Sequence, residues 1–178
     1  GARTSYTDHR EMLAREKPDA VFIVVGYGPD GRPLYPALAR DCLEAGVHVW
    51  MEKPPAAAVA ELVPLARLAE EKGRTVMVGL KKMFFPANEK ARSLMDAPDF
   101  GRATMALLQY PQRIPTEDEF QALAAGGRLP GPLVGFLDHV CHPAALMVFL
   151  LGMPATLFYE RSASGSGVAT FTFPSGAV

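Results

Sequence analysis

Cysteine is scarce in this sequence, and its two cysteines, Cys42 and Cys141, form neither a CxxC pair nor a set with metal-ligand spacing. This pattern predicts no metal site and no disulfide framework. It favours free thiols in a reducing compartment. We therefore expect a cytoplasmic protein.

An excess of charge of one sign and a long apolar run are also missing. The chain has 18 Lys and Arg against 19 Asp and Glu, a net charge of −1. This balance gives no electrostatic reason to expect a nucleic acid or an anionic membrane as partner. No apolar run reaches the roughly 20 residues that span a bilayer, and the start of the chain has no signal-peptide pattern. With 49% hydrophobic residues, the composition is that of a globular protein with a real core.

The first half of the chain alternates short β-branched runs with amphipathic helices. The predicted elements are a helix at 8–16, a strand at 20–25, a helix at 34–45, a strand at 47–51, a helix at 59–72 and a strand at 75–79. Gly46 and Gly73 fall where helix ends favour a left-handed residue. Such alternation predicts an α/β fold with a parallel, doubly wound sheet.

The second half has a different pattern, which predicts part of an α+β domain with a mixed or antiparallel sheet. The predicted elements are a helix at 86–95, a strand at 103–110, irregular chain at 111–135, a helix at 138–151 and strands at 155–161 and 167–173. We place the boundary between two domains, 1–82 and 83–178. A capping signal near the start and half of a hairpin at the end predict that both domains are partial.

Candidate catalytic residues stand at two places in the chain. Glu52-Lys53-Pro54 follows the predicted buried strand 47–51, and the carboxyl edge of a parallel sheet is where open α/β folds bind ligands. Asp138 and His142 are four residues apart, so one helical turn places both on the same face. A Lys, an Asp and a His can together move a proton on or off a hydroxyl, which indicates an enzyme. Lys53 as an ordinary strand-end residue paired with Glu52, and His142 as a core or capping residue, remain alternatives.

Pro143 bears on the state of His142. Because proline lacks a backbone N–H and favours a first helical turn, the helix is predicted to begin near 139–142 or to kink there. His142 would then lie near a helix N-terminus, where the dipole favours neutral imidazole. Neutral imidazole is the form that a general base needs. The other three histidines are expected to be structural (His48, His139) or on the surface (His9).

The segment Gly26–Gly31 matches G-x-G-x-x-G literally, and Glu52 lies roughly 20 residues on, near where a ribose-binding acid is expected. A phosphate-binding turn donates backbone N–H groups, and Pro29 and Pro33 remove two of them. A predicted helix also precedes the strand, so this is not the pattern of a first strand. We interpret the segment as a later loop that lines the crevice without gripping a pyrophosphate; the true fingerprint stays an alternative.

Six segments, in order along the chain, carry a family resemblance. They are Asp19–Val25, Ala45–Val49, Glu52-Lys53-Pro54, Val78–Pro86, Asp138-x-x-x-His142 and Leu151–Pro154. The set resembles the glucose–fructose oxidoreductase/inositol dehydrogenase/MocA-type (Gfo/Idh/MocA) family of NAD(P)-dependent dehydrogenases. The resemblance implies that 1–82 is a partial Rossmann-like NAD(P)-binding domain without its first βαβ unit. It implies that 83–178 is a partial substrate and oligomerisation domain without its last strands.

The same resemblance implies an activity: hydride transfer between NAD or NADP and a secondary alcohol of a sugar, cyclitol or related polyol. In such enzymes the residue equivalent to Lys53 works on the substrate hydroxyl, and those equivalent to Asp138 and His142 assist. It also implies a homo-oligomer, a small-molecule polyol as substrate and no metal. A cis Lys53–Pro54 bond, which would turn the Lys inward, is expected as well.

The cofactor-binding candidates are Gly26, Tyr27, Glu52, Lys53 and Lys82. The sequence departs from the family pattern by having Tyr35 where members often carry His, and Lys81-Lys82-Met83 where Asn-Arg-Arg is common. Because the nucleotide fingerprint of the family is not in this chain, two other functions stay open. One is a non-catalytic scaffold or sensor domain. The other is a different α/β enzyme whose 26–31 loop holds a phosphate.

Overall fold

The computed structural model describes residues 3–162 and 166–178, and the chain divides into two compact units, Gly1–Gly79 and Leu80–Val178. The division falls after Gly79, whereas the domain boundary predicted from the sequence lies between residues 82 and 83.

The first unit alternates helix and strand, as the hydrophobic pattern predicts. Its elements are α1 His9–Glu16, β1 Ala20–Ile23, α2 Tyr35–Glu44, β2 His48–Met51, α3 Val59–Lys72 and β3 Val76–Val78. The three strands pair in parallel in the order β1-β2-β3. Gly46 (φ 76°) and Gly73 (φ 60°) adopt the left-handed conformation after α2 and α3. The predicted parallel α/β architecture is confirmed.

The core of the first unit lies between one face of the sheet and α2 and α3. Ile23, Val49 and Met51 are buried there against Leu43 of α2 and Leu65 of α3. Side chains alternate between the two faces of a strand, so the intervening residues point to the other face, which is more open. There Phe22 of β1 pairs in register with Trp50 of β2, and Trp50 with Met77 of β3.

The second unit consists of several helices followed by two strands. They are a 3₁₀ helix Lys81–Phe84, α4 Pro86–Met95, α5 Glu117–Ala124, α6 Gly131–Leu151, β4 Thr156–Arg161 and β5 Gly167–Thr172. β4 and β5 form an antiparallel pair, in line with the predicted change from parallel to antiparallel or mixed sheet. The 3₁₀ helix packs against both α4 and α6.

Two predictions for residues 103–135 are wrong. Residues 103–110 form no strand of either sheet; Thr104 and Ala106 instead exchange backbone hydrogen bonds with Val178. The segment predicted to be irregular contains α5. Thr116 and Glu119 explain this helix, because they form a capping box in which each backbone N–H donates to the side chain of the other residue.

Helix α6 begins seven residues earlier than predicted, at Gly131 instead of residue 138. Pro143 therefore lies inside the helix and not in its first turn, and His142 is about three turns from the N-terminus. The prediction that a helix N-terminus favours neutral His142 is wrong, since the effect of the dipole fades beyond the first turn. The prolines at 130 and 132, at the true start of α6, were the helix-start signal that sequence reasoning passed over.

Within the described residues, Leu133–Leu151 of α6 is the one stretch long and apolar enough to cross a membrane by length and composition. About 17% of its most apolar window is buried. Length and composition are weak criteria, because a core helix can meet them as well. The absence of a membrane partner stays a prediction.

Candidate active site

Glu52 and Lys53 follow β2, the middle strand of the parallel sheet, and so lie at its carboxyl edge. The backbone N–H of Glu52 donates to the carbonyl of Ile23 in β1 (3.1 Å). The backbone N–H of Lys53 donates to the Glu52 carboxylate (3.1 Å), and both residues are half-buried. The Lys53–Pro54 bond is cis, as expected. This edge is the ligand-binding side of open α/β sheets.

The neighbouring strand end is held close to Glu52. The backbone N–H of Gly79 donates to the carbonyl of Met51 (2.9 Å), which extends the β2–β3 pairing by one bond. A β-carbon at position 79 would lie 3.6 Å from the carboxyl carbon of Glu52 and 2.9 Å from Trp50 Cζ2. Glycine at this position therefore lets the end of β3 approach the indole and the carboxylate.

The loop after β1 is a closed turn and not an open phosphate cradle. Within it, the N–H of Gly28 donates to Arg32 O (2.8 Å), that of Gly31 to Gly28 O (2.9 Å) and that of Arg32 to Asp30 Oδ1 (3.0 Å). Positions 29 and 33 are prolines without an N–H. Three of the four backbone N–H groups between residues 28 and 33 are thus used within the turn and are unavailable to a phosphate. This geometry agrees with the interpretation of residues 26–31 as a lining loop and argues against the true fingerprint.

Two side chains fix this loop to the rest of the first unit. The hydroxyl of Tyr35, which is 3% exposed, donates to the carbonyl of Val25. The guanidinium of Arg32 lies 3.4 Å from the Glu61 carboxylate of α3. Tyr35 thus holds the chain where it leaves β1. Gly26 stands just beyond this point, and a β-carbon there would meet no heavy atom within 4 Å. The space beside the backbone at Gly26 is therefore open.

Lys82, the other cofactor-binding candidate, lies in the 3₁₀ helix of the second unit. Its ammonium is 3.4 Å from the hydroxyl of Tyr110 and 5.1 Å from the centroid of that ring. Sequence reasoning did not single out Tyr110. It is the last residue of the predicted strand 103–110, and no motif there indicates a contact with Lys82.

Asp138 and His142 lie one turn apart on α6, as their spacing predicts. His142 is buried, with 6% of its surface exposed. The Asp138 carboxylate lies 3.9 Å from Nδ1 of His139, and that nitrogen is also 2.7 Å from the carbonyl of Gly135. His139 thus contacts the backbone of its own helix. Cys141, the other nearby polar group, donates through Sγ to the carbonyl of Asp138 (3.6 Å).

Other charged features of the first unit lie away from the Glu52–Lys53 edge. A cavity of about 700 Å³ opens where β1 and β2 begin, and its lining includes Asp19, Asp41 and His48. Hydrogen bonding from His9 is the main influence that lowers the pKa of Asp41. Burial raises the pKa of the Cys42 thiol. His48 is structural, since its Nδ1 accepts the backbone N–H of Thr75 (3.0 Å).

A family model described as "Oxidoreductase family, NAD-binding Rossmann fold" matches residues 1–80. The chain is 32% identical over 143 residues to a dTDP-3,4-didehydro-2,6-dideoxy-alpha-D-glucose 3-reductase of Streptomyces violaceoruber, covering 79% of this chain and 38% of the relative. It is 27% identical over 158 residues to D-xylose 1-dehydrogenase (NADP(+)) 2 of Haloferax volcanii, covering 89% of this chain and 46% of the relative. The chain thus spans about half the length, or less, of these curated relatives.

A solved structure shares the fold along almost the whole chain. It is the WlbA dehydrogenase from Bordetella pertussis in complex with NADH and UDP-GlcNAcA, with a TM-score of 0.73 and 21% identity. The match covers 97% of this chain and 50% of that one. At this identity the likeness shows the arrangement of helices and strands.

Proposed function

We propose that the chain is part of an oxidoreductase of the Gfo/Idh/MocA family, whose model matches residues 1–80, and that it serves hydride transfer between NAD or NADP and a secondary alcohol. The proposed substrate class is a sugar, cyclitol or related polyol. One observation carries the proposal: Glu52 and Lys53 stand at the carboxyl end of the middle strand of a parallel sheet. The names of the curated relatives, a sugar dehydrogenase and a sugar-nucleotide reductase, support the substrate class.

The residues at this edge fit a nicotinamide cofactor. Gly26 leaves open space just after β1. Glu52 and Lys53, both half-buried, follow the neighbouring strand β2. When bound, the nicotinamide ring accepts the hydride from the alcohol carbon. The protein has to bind and orient the alcohol, and it has to take the proton from the alcohol oxygen.

Lys53 is proposed to donate a hydrogen bond to the reacting oxygen and to stabilise the developing alkoxide. His142 is proposed to accept the proton, because imidazole titrates near neutral pH. Asp138 is proposed to orient the substrate or to fix the His142 tautomer. A Lys53 whose pKa is lowered by its surroundings is the alternative base.

Cofactor binding is the first test, and the chain carries its own reporter, because Trp50 is its single tryptophan and lies two residues before Glu52. Titration with NADH or NADPH should quench Trp50 emission, raise nicotinamide emission by energy transfer and raise the melting temperature. Trp50→Phe removes the donor and is the control for the fluorescence signal. A scaffold or sensor domain predicts no response to either dinucleotide, and that result would reject the proposed function.

Turnover is the second test. The chain would be incubated with NAD⁺ or NADP⁺ and a set of polyols that includes D-xylose and myo-inositol, and reduced nicotinamide would be followed by absorbance. The faster cofactor decides between NAD and NADP. Binding of the dinucleotide without turnover of any polyol would reject the proposed substrate class.

A homo-oligomer in the cytoplasm is also proposed. Every residue of β4 is exposed, including Leu157 (60%) and Phe158 (66%). Large exposed apolar patches are typical of interaction surfaces. Sedimentation velocity at several concentrations would measure self-association, and a monomer at all of them would contradict the proposal.

A further inference from the structure

The backbone of Lys82 is fixed by its neighbours in the second unit. Its carbonyl accepts hydrogen bonds from the side-chain amide of Asn88 (2.7 Å) and from the backbone N–H of Phe85 (3.3 Å). The 3₁₀ helix that carries it packs against α6, the helix of Asp138 and His142. The point from which the Lys82 side chain extends is therefore well defined.

The ammonium of Lys82 is paired with an aromatic ring. It lies 5.1 Å from the ring centroid of Tyr110, within the roughly 6 Å range of cation–π attraction. Its distance of 3.4 Å from the Tyr110 hydroxyl is long for a hydrogen bond, and the two distances together place the ammonium nearer to the hydroxyl than to the centre of the ring. Among the residues that the structure describes, no carboxylate lies within ion-pair distance of this ammonium.

Several other cations of the described residues differ from Lys82 in this respect. Carboxylates lie beside Arg10, Arg15, Arg32, Arg92 and Arg113. Tyr110 is a phenol and not a carboxylate, so it restrains the Lys82 ammonium without forming an ion pair with it. A restrained, uncompensated cation is suited to bind an anionic oxygen of a ligand.

We propose that Tyr110 is a positioning residue that holds the Lys82 ammonium where it binds a phosphate oxygen of the nicotinamide dinucleotide. This inference rests on the proposed function and assigns a group on the cofactor to Lys82. NADH offers pyrophosphate oxygens, and NADPH adds the 2′-phosphate. The contact with Tyr110 limits the directions available to the flexible Lys82 side chain, so less freedom is lost when the phosphate binds.

The Lys82–Tyr110 pairing can be tested without a cofactor, with Lys81 as an internal control. Lys81 is the exposed neighbour of Lys82 in the same 3₁₀ helix. Acetylation under limiting reagent, read by peptide mass spectrometry, should modify Lys82 more slowly than Lys81. In Tyr110→Leu the Lys82 rate should rise about 2- to 5-fold while the Lys81 rate is unchanged. An unchanged ratio of the two rates would overturn the inference.

Dinucleotide binding tests the role of the pair. Lys82→Met should weaken NADH binding about 10-fold, and Tyr110→Leu about 2- to 5-fold. Tyr110→Phe removes the hydroxyl, which is the part of Tyr110 nearest to the ammonium, and should weaken NADH binding about as much as Tyr110→Leu. Because Tyr110 acts through Lys82, the double variant Lys82→Met/Tyr110→Leu should bind no more weakly than Lys82→Met. Lys81→Met is the matched control, and melting temperatures check that each variant is folded.

The pattern of losses distinguishes the possible results. Equal losses for NADH and NADPH place Lys82 at the pyrophosphate, and a loss for NADPH alone places it at the 2′-phosphate. The inference is overturned if the losses of affinity in Lys82→Met and Tyr110→Leu add up in the double variant, or if neither single variant loses affinity for either dinucleotide. In both cases the proposed function stands as long as the wild-type chain binds a dinucleotide. Failure of the wild-type chain to bind either dinucleotide rejects the proposed function, and the inference with it.

Discussion

The indole of Trp50 occupies the space that a side chain at Gly79 would need. A β-carbon at position 79 would lie 2.9 Å from Cζ2 and 3.1 Å from Cη2 of that ring. Trp50 also contacts Phe22, with ring centroids 5.5 Å apart. The end of β2, just before Glu52, thus contacts both β1 and the residue that follows β3. The position of Glu52 and Lys53 therefore depends on the absence of a side chain at Gly79.

Gly79→Ala tests this relationship. The added methyl should displace the indole and destabilise the first unit by about 1–3 kcal/mol, the usual cost of overpacking. Urea unfolding and the emission maximum of Trp50 would measure the two effects. Gly26→Ala is the matched control, because a β-carbon at 26 meets nothing within 4 Å. Equal stability of the two variants would show that Trp50 moves aside without cost.

Asp41 of α2 connects that helix to α1. Its carboxylate lies 2.7 Å from His9 Nε2 and 2.9 Å from Arg10 Nε, so His9 is not a simple surface residue. Asp41→Asn should lower the free energy of unfolding by about 1 kcal/mol, as measured in urea. Glu71→Gln, an exposed position in α3, is the control and should change stability little.

The contribution of Asp41 should depend on pH in a defined direction. Its pKa is lowered in the folded state, mainly by the hydrogen bond from His9 and further by Arg10. The carboxylate therefore stabilises the folded state fully above the unfolded pKa of about 3.9. This stabilisation is lost as the pH falls through the lower, folded pKa. The gap in urea midpoint between wild type and Asp41→Asn should thus be full at about pH 5 and close in stronger acid; a gap that widens in acid would contradict the assignment.

Lys53→Met tests the proposed role at the reacting oxygen. The variant keeps an unbranched side chain but loses the ammonium, so kcat with the most active polyol should fall by about 100-fold or more. Lys72→Met, in the last turn of α3, should retain wild-type kcat and serves as control. Undiminished turnover of Lys53→Met would remove Lys53 from the mechanism.

His142→Asn tests the proposed proton acceptor. The kcat value should fall about 100-fold or more, and the pH dependence contributed by an imidazole base should disappear from the profile. His139→Asn is a control from the same helix, since His139 contacts the carbonyl of Gly135. If both variants keep the wild-type pH profile, the base is another group.

Arg92 of α4 binds the C-terminal end of α6. Its Nη1 donates to the carbonyls of Phe149 (2.8 Å) and Leu150 (3.3 Å), which a helix end leaves without an intrahelical partner. Arg92→Met should destabilise the second unit by about 1–2 kcal/mol. Thermal and urea unfolding would measure the loss, with the exposed Lys90→Met as control. A stability equal to that of the control would mean that water replaces the guanidinium at no cost.

Local patterns predicted the first unit well and the middle of the second unit poorly. The strand and helix periods of residues 8–79, with glycine at positions 46 and 73, specify each element from its own residues. The prediction of a strand at 103–110 failed because a strand also needs a partner strand, and in the described part of the chain Thr104 and Ala106 exchange backbone hydrogen bonds with the single residue Val178. The early start of α6 was missed because Pro143 by itself predicts a first helical turn, whereas the helix begins at Gly131 and continues through this proline.

Local sequence patterns were enough to predict the parallel α/β class, the motif Glu52-Lys53-Pro54 at a strand end and the one-turn spacing of Asp138 and His142. These features depend on residues close together in the chain, whose geometry follows from helix and strand periods. The three-dimensional packing was needed to find that Trp50 packs over Gly79, that the 28–33 turn uses its own amides and that Tyr110 contacts Lys82. Those contacts depend on how separate segments pack, and packing is set by the shape of the whole unit.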